Sequence, residues 1–254
     1  MSITLNEREW AESALKEKDL GAKPTETLSR VAKYYFDAGR SRPEVRGLVE
    51  SFLKTCDPYV SVVKWSDTLD NVVKYASKRH LIVIDSIKIT KPEIETIRLI
   101  KGVQAQRLAF TLLCIAKFNY LAGNNQEYWV TTPDSDIMRM ANIKSSIKRQ
   151  SQMFASLRDA GLIEFSKRVD NTSVRVLFVS GGDVALEVKD FRNLGYQYLN
   201  YIDQTGTYFV CKNCGIMCKS DARSPGRKRE YCNSCAVKIR MKQNVDSVMR
   251  LRNK

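Results

Sequence analysis

A single histidine, His80, is all the imidazole this chain has. That scarcity removes most acid–base schemes built on imidazole, and metal nuclease sites built on several histidines. His80 itself sits in Lys-Arg-His, between a helical pattern and an apolar run, where a turn residue is expected. Long apolar runs are missing too. The longest, Leu108 to Ala116, includes a threonine and is too short to span a bilayer. The opening residues, Met1-Ser-Ile-Thr-Leu-Asn-Glu-Arg-Glu, lack the charged-then-apolar pattern of a signal peptide. The expected location is therefore the cytoplasm, with no membrane partner. Internal repeats and low-complexity tracts are absent. Asp134 and Asp136 form a close acidic pair, yet they stand where a helix cap is expected. No PD-(D/E)xK, HNH, Walker or DxD-type active-site context surrounds them. A carboxylate-and-metal nuclease is thus the weakest functional reading, and the chain is expected not to be an enzyme.

Acid is scarce relative to base. The chain has 42 Lys and Arg against 28 Asp and Glu, a formal charge of +14. Such a surplus favours a polyanionic partner through charge neutralisation and counterion release. Nucleic acid, double-stranded DNA first, fits better than an anionic membrane, because no segment joins a basic face to a strongly apolar one with large aromatics.

Most of the chain reads as helix, so the expected class is mainly α, of the α+β kind. Residues 1–100 are expected to form a helical domain with one short strand. Thr4-Leu-Asn-Glu7 is a capping-box pattern ahead of Trp10, Ala11, Ala14 and Leu15. Leu28, Val31, Ala32, Tyr35 and Phe36 make one stripe that Gly39 ends. Pro43 suits the first turn of a third helix, and Ser66 is expected to start a fourth. Leu81 to Ile89, rich in Ile and Val, predicts a strand.

Residues 101–180 have a more specific order. A long apolar helix spans about 104–121, and Tyr128-Trp-Val-Thr131 suits a short strand. Pro133 opens a short helix, and Ala141-Asn-Ile-Lys is a turn. Ser145 or Ser146 then starts a helix that ends at Gly161 and buries Ile147, Phe154 and Leu157. A hairpin follows, 162–168 and 174–179, around Asp170-Asn171-Thr172. This order, with the run Phe154-Ala-Ser-Leu-Arg-Asp-Ala-Gly-Leu-Ile-Glu-Phe, resembles a winged helix at its recognition helix and wing. The resemblance implies a reading face of Lys144, Ser145, Lys148, Arg149 and Gln152, types that contact phosphates or base edges. It also implies wing contacts from Lys167, Arg168 and Arg175. The same face can instead meet an acidic protein. Residues 181–208 read as a connector, in which Tyr196, Tyr198 and Tyr201 are assigned to packing rather than base stacking.

Residues 209–254 carry the chemistry. Cys211-Lys-Asn-Cys214 and Cys232-Asn-Ser-Cys235 are two CxxC pairs at a separation that fits a tetrahedral zinc site. Two disulfides would need an oxidising compartment, which nothing suggests. Gly215 follows the first pair, as a knuckle turn wants. After the second pair, Val237, Met241, Val245 and Val248 follow at helical spacing, without Gly or Pro. The segment therefore resembles a treble-clef finger more than a zinc ribbon, with Cys232 and Cys235 at a helix start. Cys218 is left outside the ligand set. Residues 211–254 hold twelve Lys and Arg and three acids, or +9. Zinc with four thiolates carries −2, leaving about +7. Arg227, Lys228 and Arg229, in the loop between the pairs, are candidate phosphate contacts.

As a whole, the chain resembles uncharacterised accessory proteins of phages and mobile elements of Gram-positive bacteria. The residues that carry this are the Leu108-to-Lys117 helix, Phe191-Arg-Asn-Leu-Gly-Tyr-Gln-Tyr, and the closing Tyr231-Cys-x-x-Cys with its basic helix. The resemblance supplies context rather than an activity. The two modules that commonly contact nucleic acid, with the net charge of +14, lead to the expectation of a non-enzymatic DNA-binding protein serving replication or transcription of such an element. The alternative is a factor that docks on a host machine such as RNA polymerase or a defence complex.

Overall fold

The structure, a computed structural model, describes residues 3–123, 127–167, 173–203, 205–220 and 229–252, the last three by backbone alone. The chain divides into two units, Ile3–Asp85 and Ser86 onward.

Four helices make the first unit: α1 (Glu7–Glu17), α2 (Pro24–Asp37), α3 (Arg42–Cys56) and α4 (Val62–Ala76). Their apolar stripes converge, so Ala11, Leu28, Val31, Val45, Val49, Leu53 and Leu69 are fully buried. The expected capping box at Thr4–Glu7 does not form. Asn6 caps α1 instead, its Oδ1 accepting from the Glu9 amide at 3.1 Å. The Glu7 carboxylate is turned inward, where it accepts from Lys33 at 2.8 Å and from the Ile82 amide at 3.0 Å. The fourth helix starts a turn earlier than expected, with Ser61 rather than Ser66 before it. The expected strand over 81–89 is cut at the unit boundary. Its first half makes one bridge, Val83 to Asn6, while its second half becomes a strand of the other unit.

That unit opens with β1 (Ile87–Thr90) and α5 (Lys91–Arg98). The long helix α6 (Val103–Leu121) follows and is buried from Leu108 to Ala116, with Ala105 and Phe118. A helix apolar all round must be enclosed, and the remaining elements enclose it. They begin with β2 (Trp129–Val130), α7 (Asp134–Met140), α8 (Ile147–Asp159), β3 (Ile163–Phe165) and β4 (Val174–Val176). The strands form an antiparallel sheet in the order β2-β4-β3, pairing Trp129 with Arg175 and Ile163 with Val176. The turn expected at Asp170-Asn171-Thr172 lies outside the described residues.

The expected connector is built of regular elements. β5 (Val184–Val188) pairs antiparallel with β1, Ile87 facing Val188. α9 (Leu194–Ile202) packs on α6, with Tyr198 fully buried, its ring 5.3 Å from that of Phe110 and its hydroxyl bonded to Gln106. The hairpin β6 (Tyr208–Val210) and β7 (Met217–Lys219) and the helix α10 (Asn233–Arg252) complete the chain. The described residues are thus mainly helical with small antiparallel sheets. No described helix is long and apolar enough to cross a membrane.

Candidate metal centre and basic helix face

Cys211 and Cys214 flank a tight knuckle between β6 and β7. Gly215 sits there at φ 72°, and its amide bonds to the Cys211 carbonyl at 2.9 Å. The Lys212 amide reaches the Glu230 carbonyl at 3.0 Å, which holds the knuckle against the second pair. Cys232 immediately precedes α10, and Cys235 lies in its first turn. The four sulfurs lie within 4.8 Å of one another. Cys211 and Cys235 are buried, while Cys214 and Cys232 are part-buried. Among the described residues, these are the metal-ligating side chains grouped closely enough to hold an ion.

The electrostatics favour thiolates. The Cys232 amide donates to the Cys211 sulfur at 3.2 Å, and the Cys235 amide to the Cys232 sulfur at 3.4 Å. The second bond belongs to a helix start, where the dipole also favours negative charge. Burial pushes the Cys211 thiol up, but the amides of Cys232, Cys214 and Asn213 outweigh it and bring it down to about 6. Cys214 moves the other way. Burial and the neighbouring thiols push it up to about 12. Four clustered sulfurs cannot all ionise beside one another unless a cation joins them. The cluster is therefore positioned to hold a metal ion. Cys218 lies outside it on β7, its thiol turned to the Ile216 carbonyl at 3.7 Å.

The second set of candidates centres on α8. Met153, Phe154 and Leu157 pack inward, leaving Lys148, Arg149 and Gln152 exposed, with Lys144 exposed just before the helix. Ser146 caps α8 by accepting from the Arg149 amide at 3.4 Å. Two expectations fail here. Ile147 is not buried but 82% exposed, because the first turn of α8 runs past the core that Phe154 and Leu157 enter. Ser145 does not belong to the exposed face, since its hydroxyl oxygen is enclosed and cannot reach a partner outside. In the hairpin, Lys167 is exposed. Arg175 is not free for a phosphate. It sits on the central strand, donating to Glu164 and to the Glu127 carbonyl, both at 3.1 Å. Arg229 is exposed and bonds to Asn233 at the start of α10. Arg168, Arg227 and Lys228 lie outside the described residues. Of the acidic pair, Asp136 is bonded to Arg139 at 2.7 Å within α7, and burial pushes the Asp134 carboxyl up.

A third group joins these two and escaped the sequence reading. Asn142, in the turn between α7 and α8, has φ 55° and donates to Asn193 at 2.8 Å. Asn193, also left-handed, donates to the Met217 carbonyl at 2.8 Å, and Arg192 to the Cys214 carbonyl at 2.6 Å. Arg107 of α6 donates to the carbonyls of Ala141 and Asn142. Gly195 lies so close that a Cβ there would stand 1.9 Å from the Ala141 oxygen. The run Arg192-Asn-Leu-Gly195 is therefore a seam that fastens the cysteine hairpin to the α7–α8 turn. The available signal was an Asn and a Gly within three residues.

No protein-family model matches the chain, and no curated protein or solved structure is significantly similar to it.

Proposed function

We propose that this chain is a non-enzymatic DNA-binding protein, in which a winged helix meets the duplex and a zinc finger adds a second basic contact. The observation that carries the reading is the topology. Helix, strand, helix, helix and hairpin, with sheet order β2-β4-β3, support a winged helix whose recognition helix is α8. Its outer side carries Lys148, Arg149 and Gln152, and Lys144 and Lys167 stand nearby in sequence order. Seen with the resemblance to mobile-element accessory proteins, the activity serves replication or transcription of such an element.

Zinc is the ion this donor set fits. A tetrahedron of Zn–S bonds near 2.3 Å sets its sulfurs about 3.8 Å apart, and Cys214 and Cys232 stand 3.7 Å apart. Four thiolates leave no open position, so the ion's contribution is folding.

Fluorescence anisotropy with a labelled duplex tests the reading. Four phosphate contacts, from Lys144, Lys148, Arg149 and Lys167, give a slope of log K against log salt of about −3.6. Affinity then falls about 150-fold between roughly 50 and 200 mM salt. The double variant Lys148→Ala/Arg149→Ala should lower the slope by about 1.8. Binding that ignores salt, or a slope unchanged in the variant, would remove α8 from the interface.

A further inference from the structure

The zinc-finger reading needs only the beginning of α10. Cys235 is buried, and Ala236 and Ile239 are half-buried. At 100° per residue these three share one side of the helix. Val237, Met241, Val245 and Val248 fall on the opposite side, at 51%, 63%, 60% and 48% exposure. α10 nevertheless continues for 20 residues, about 30 Å. A helix serving only to present two ligands would be polar on its outer side. This one keeps a narrow apolar seam spaced four, four and three residues apart, an eleven-residue step that holds apolar side chains along one side of a helix where a second helix can lie.

We propose that the outer side of α10 docks an acidic amphipathic helix of a partner protein, the two lying side by side as in a two-stranded coiled coil. Charge selects the occupant. Lys238 and Lys242 lie on one shoulder of the seam and Arg240 on the other, all exposed. Over 233–252 the sequence has Lys238, Arg240, Lys242, Arg250 and Arg252 against Asp246 alone. A second copy, parallel or antiparallel, would set cation against cation at the flanking positions that choose coiled-coil partners. Glutamates on the partner's flanks would instead meet these cations. A lipid surface is the poorer fit, because membrane-lying helices bury wide faces of Leu, Phe and Trp, whereas this seam is Val and Met. Three β-branched valines suit close helix pairing, and the flexible Met241 adapts to a neighbour's knobs. The proposal does not depend on α8 binding DNA.

The test uses the full chain loaded with zinc and a labelled synthetic helix with a Leu/Ile seam and glutamates on both flanks. Its control has lysines in place of the glutamates. The acidic helix should bind at least about tenfold more tightly, a gap that narrows as salt rises. Met241→Ser/Val245→Ser should abolish this binding while zinc content and the far-ultraviolet spectrum hold. Both positions are exposed, so the variant keeps its fold. Equal binding of the two helices, or binding of neither, would overturn the proposal. So would dimerisation of the chain that the same double variant abolishes. Preferential partition onto phosphatidylglycerol vesicles would overturn it in favour of a membrane.

Discussion

Glu93 offers the sharpest test of what holds the C-terminal unit together. It is fully buried, in the first turn of α5. Its carboxylate accepts from the Thr90 amide at 2.8 Å, the Ser180 amide at 3.0 Å and the Lys117 ammonium at 2.6 Å. Lys117 also donates to the Lys88 carbonyl at 2.7 Å and is 13% exposed. One buried ion pair thus ties β1, α5, α6 and the segment before β5. Glu93→Gln leaves one neutral acceptor oxygen facing three donors and an ammonium without its counter-charge. Breaking a buried pair in this way costs about 3–5 kcal/mol. Lys117→Met costs less, because two amides still hold the carboxylate. The double variant Glu93→Gln/Lys117→Met should lose less than the sum, since no uncompensated charge remains.

Urea unfolding read by Trp129 reports this unit alone once Trp10→Phe and Trp65→Phe silence the other two indoles. With a slope of about 2–3 kcal/mol per molar urea, the Glu93→Gln midpoint should fall by about 1–2.5 M. A loss below about 1 kcal/mol, or strict additivity in the double variant, would refute the account of Glu93 as an ion-pair anchor.

Gly195→Ala should cost on the order of 2–3 kcal/mol, because its Cβ would meet a backbone oxygen that cannot swing away. Gly181→Ala, with open space around it, should stay within about 0.5 kcal/mol, and thermal melting of the pair compares them. Chelation of the proposed zinc should unfold the hairpin and the start of α10, seen as loss of amide protection at Cys211, Cys232 and Cys235. Zinc uptake displaces the proton that Cys214 holds up to about 12, so apparent affinity should rise with pH. An affinity flat from about pH 6 to 8, by competition with a colorimetric chelator, would count against thiolate ligation.

Local periodicity explains which parts of the fold were legible. The stripe in α2, the enclosed helix α6 and the Pro43 start of α3 each follow from neighbours within a turn or two. Where the deciding partner is distant, the pattern misleads. The Ile- and Val-rich run at 81–89 predicts one strand, but β1 takes only 87–90, because its partner strand lies about a hundred residues on, at Val188. Periodicity does not reveal β5 for the same reason. The phase of α8 was right and the depth of its first turn was not. Ile147 shares a face with Phe154, yet the core it would enter ends before reaching it. Periodicity gives a side chain's direction and says nothing of what waits there.

The site divides along the same line. Two CxxC pairs are a local signal, since each pair turns two sulfurs toward one point. The seam at 192–195 has no such signature. Asn193 matters because one side chain reaches both Asn142, fifty-one residues earlier, and Met217, twenty-four residues later. Gly195 matters because Ala141 occupies the space a side chain would need. Neither fact is written in the composition of the segment, which reads as a polar-aromatic connector. The physical consequence runs past the seam itself. A hairpin whose four clustered sulfurs are positioned to hold a metal ion, fastened to the turn before α8, would transmit its folding to the position of that helix. Losing an ion bound there should therefore disturb the α8 face as well as the cysteine hairpin.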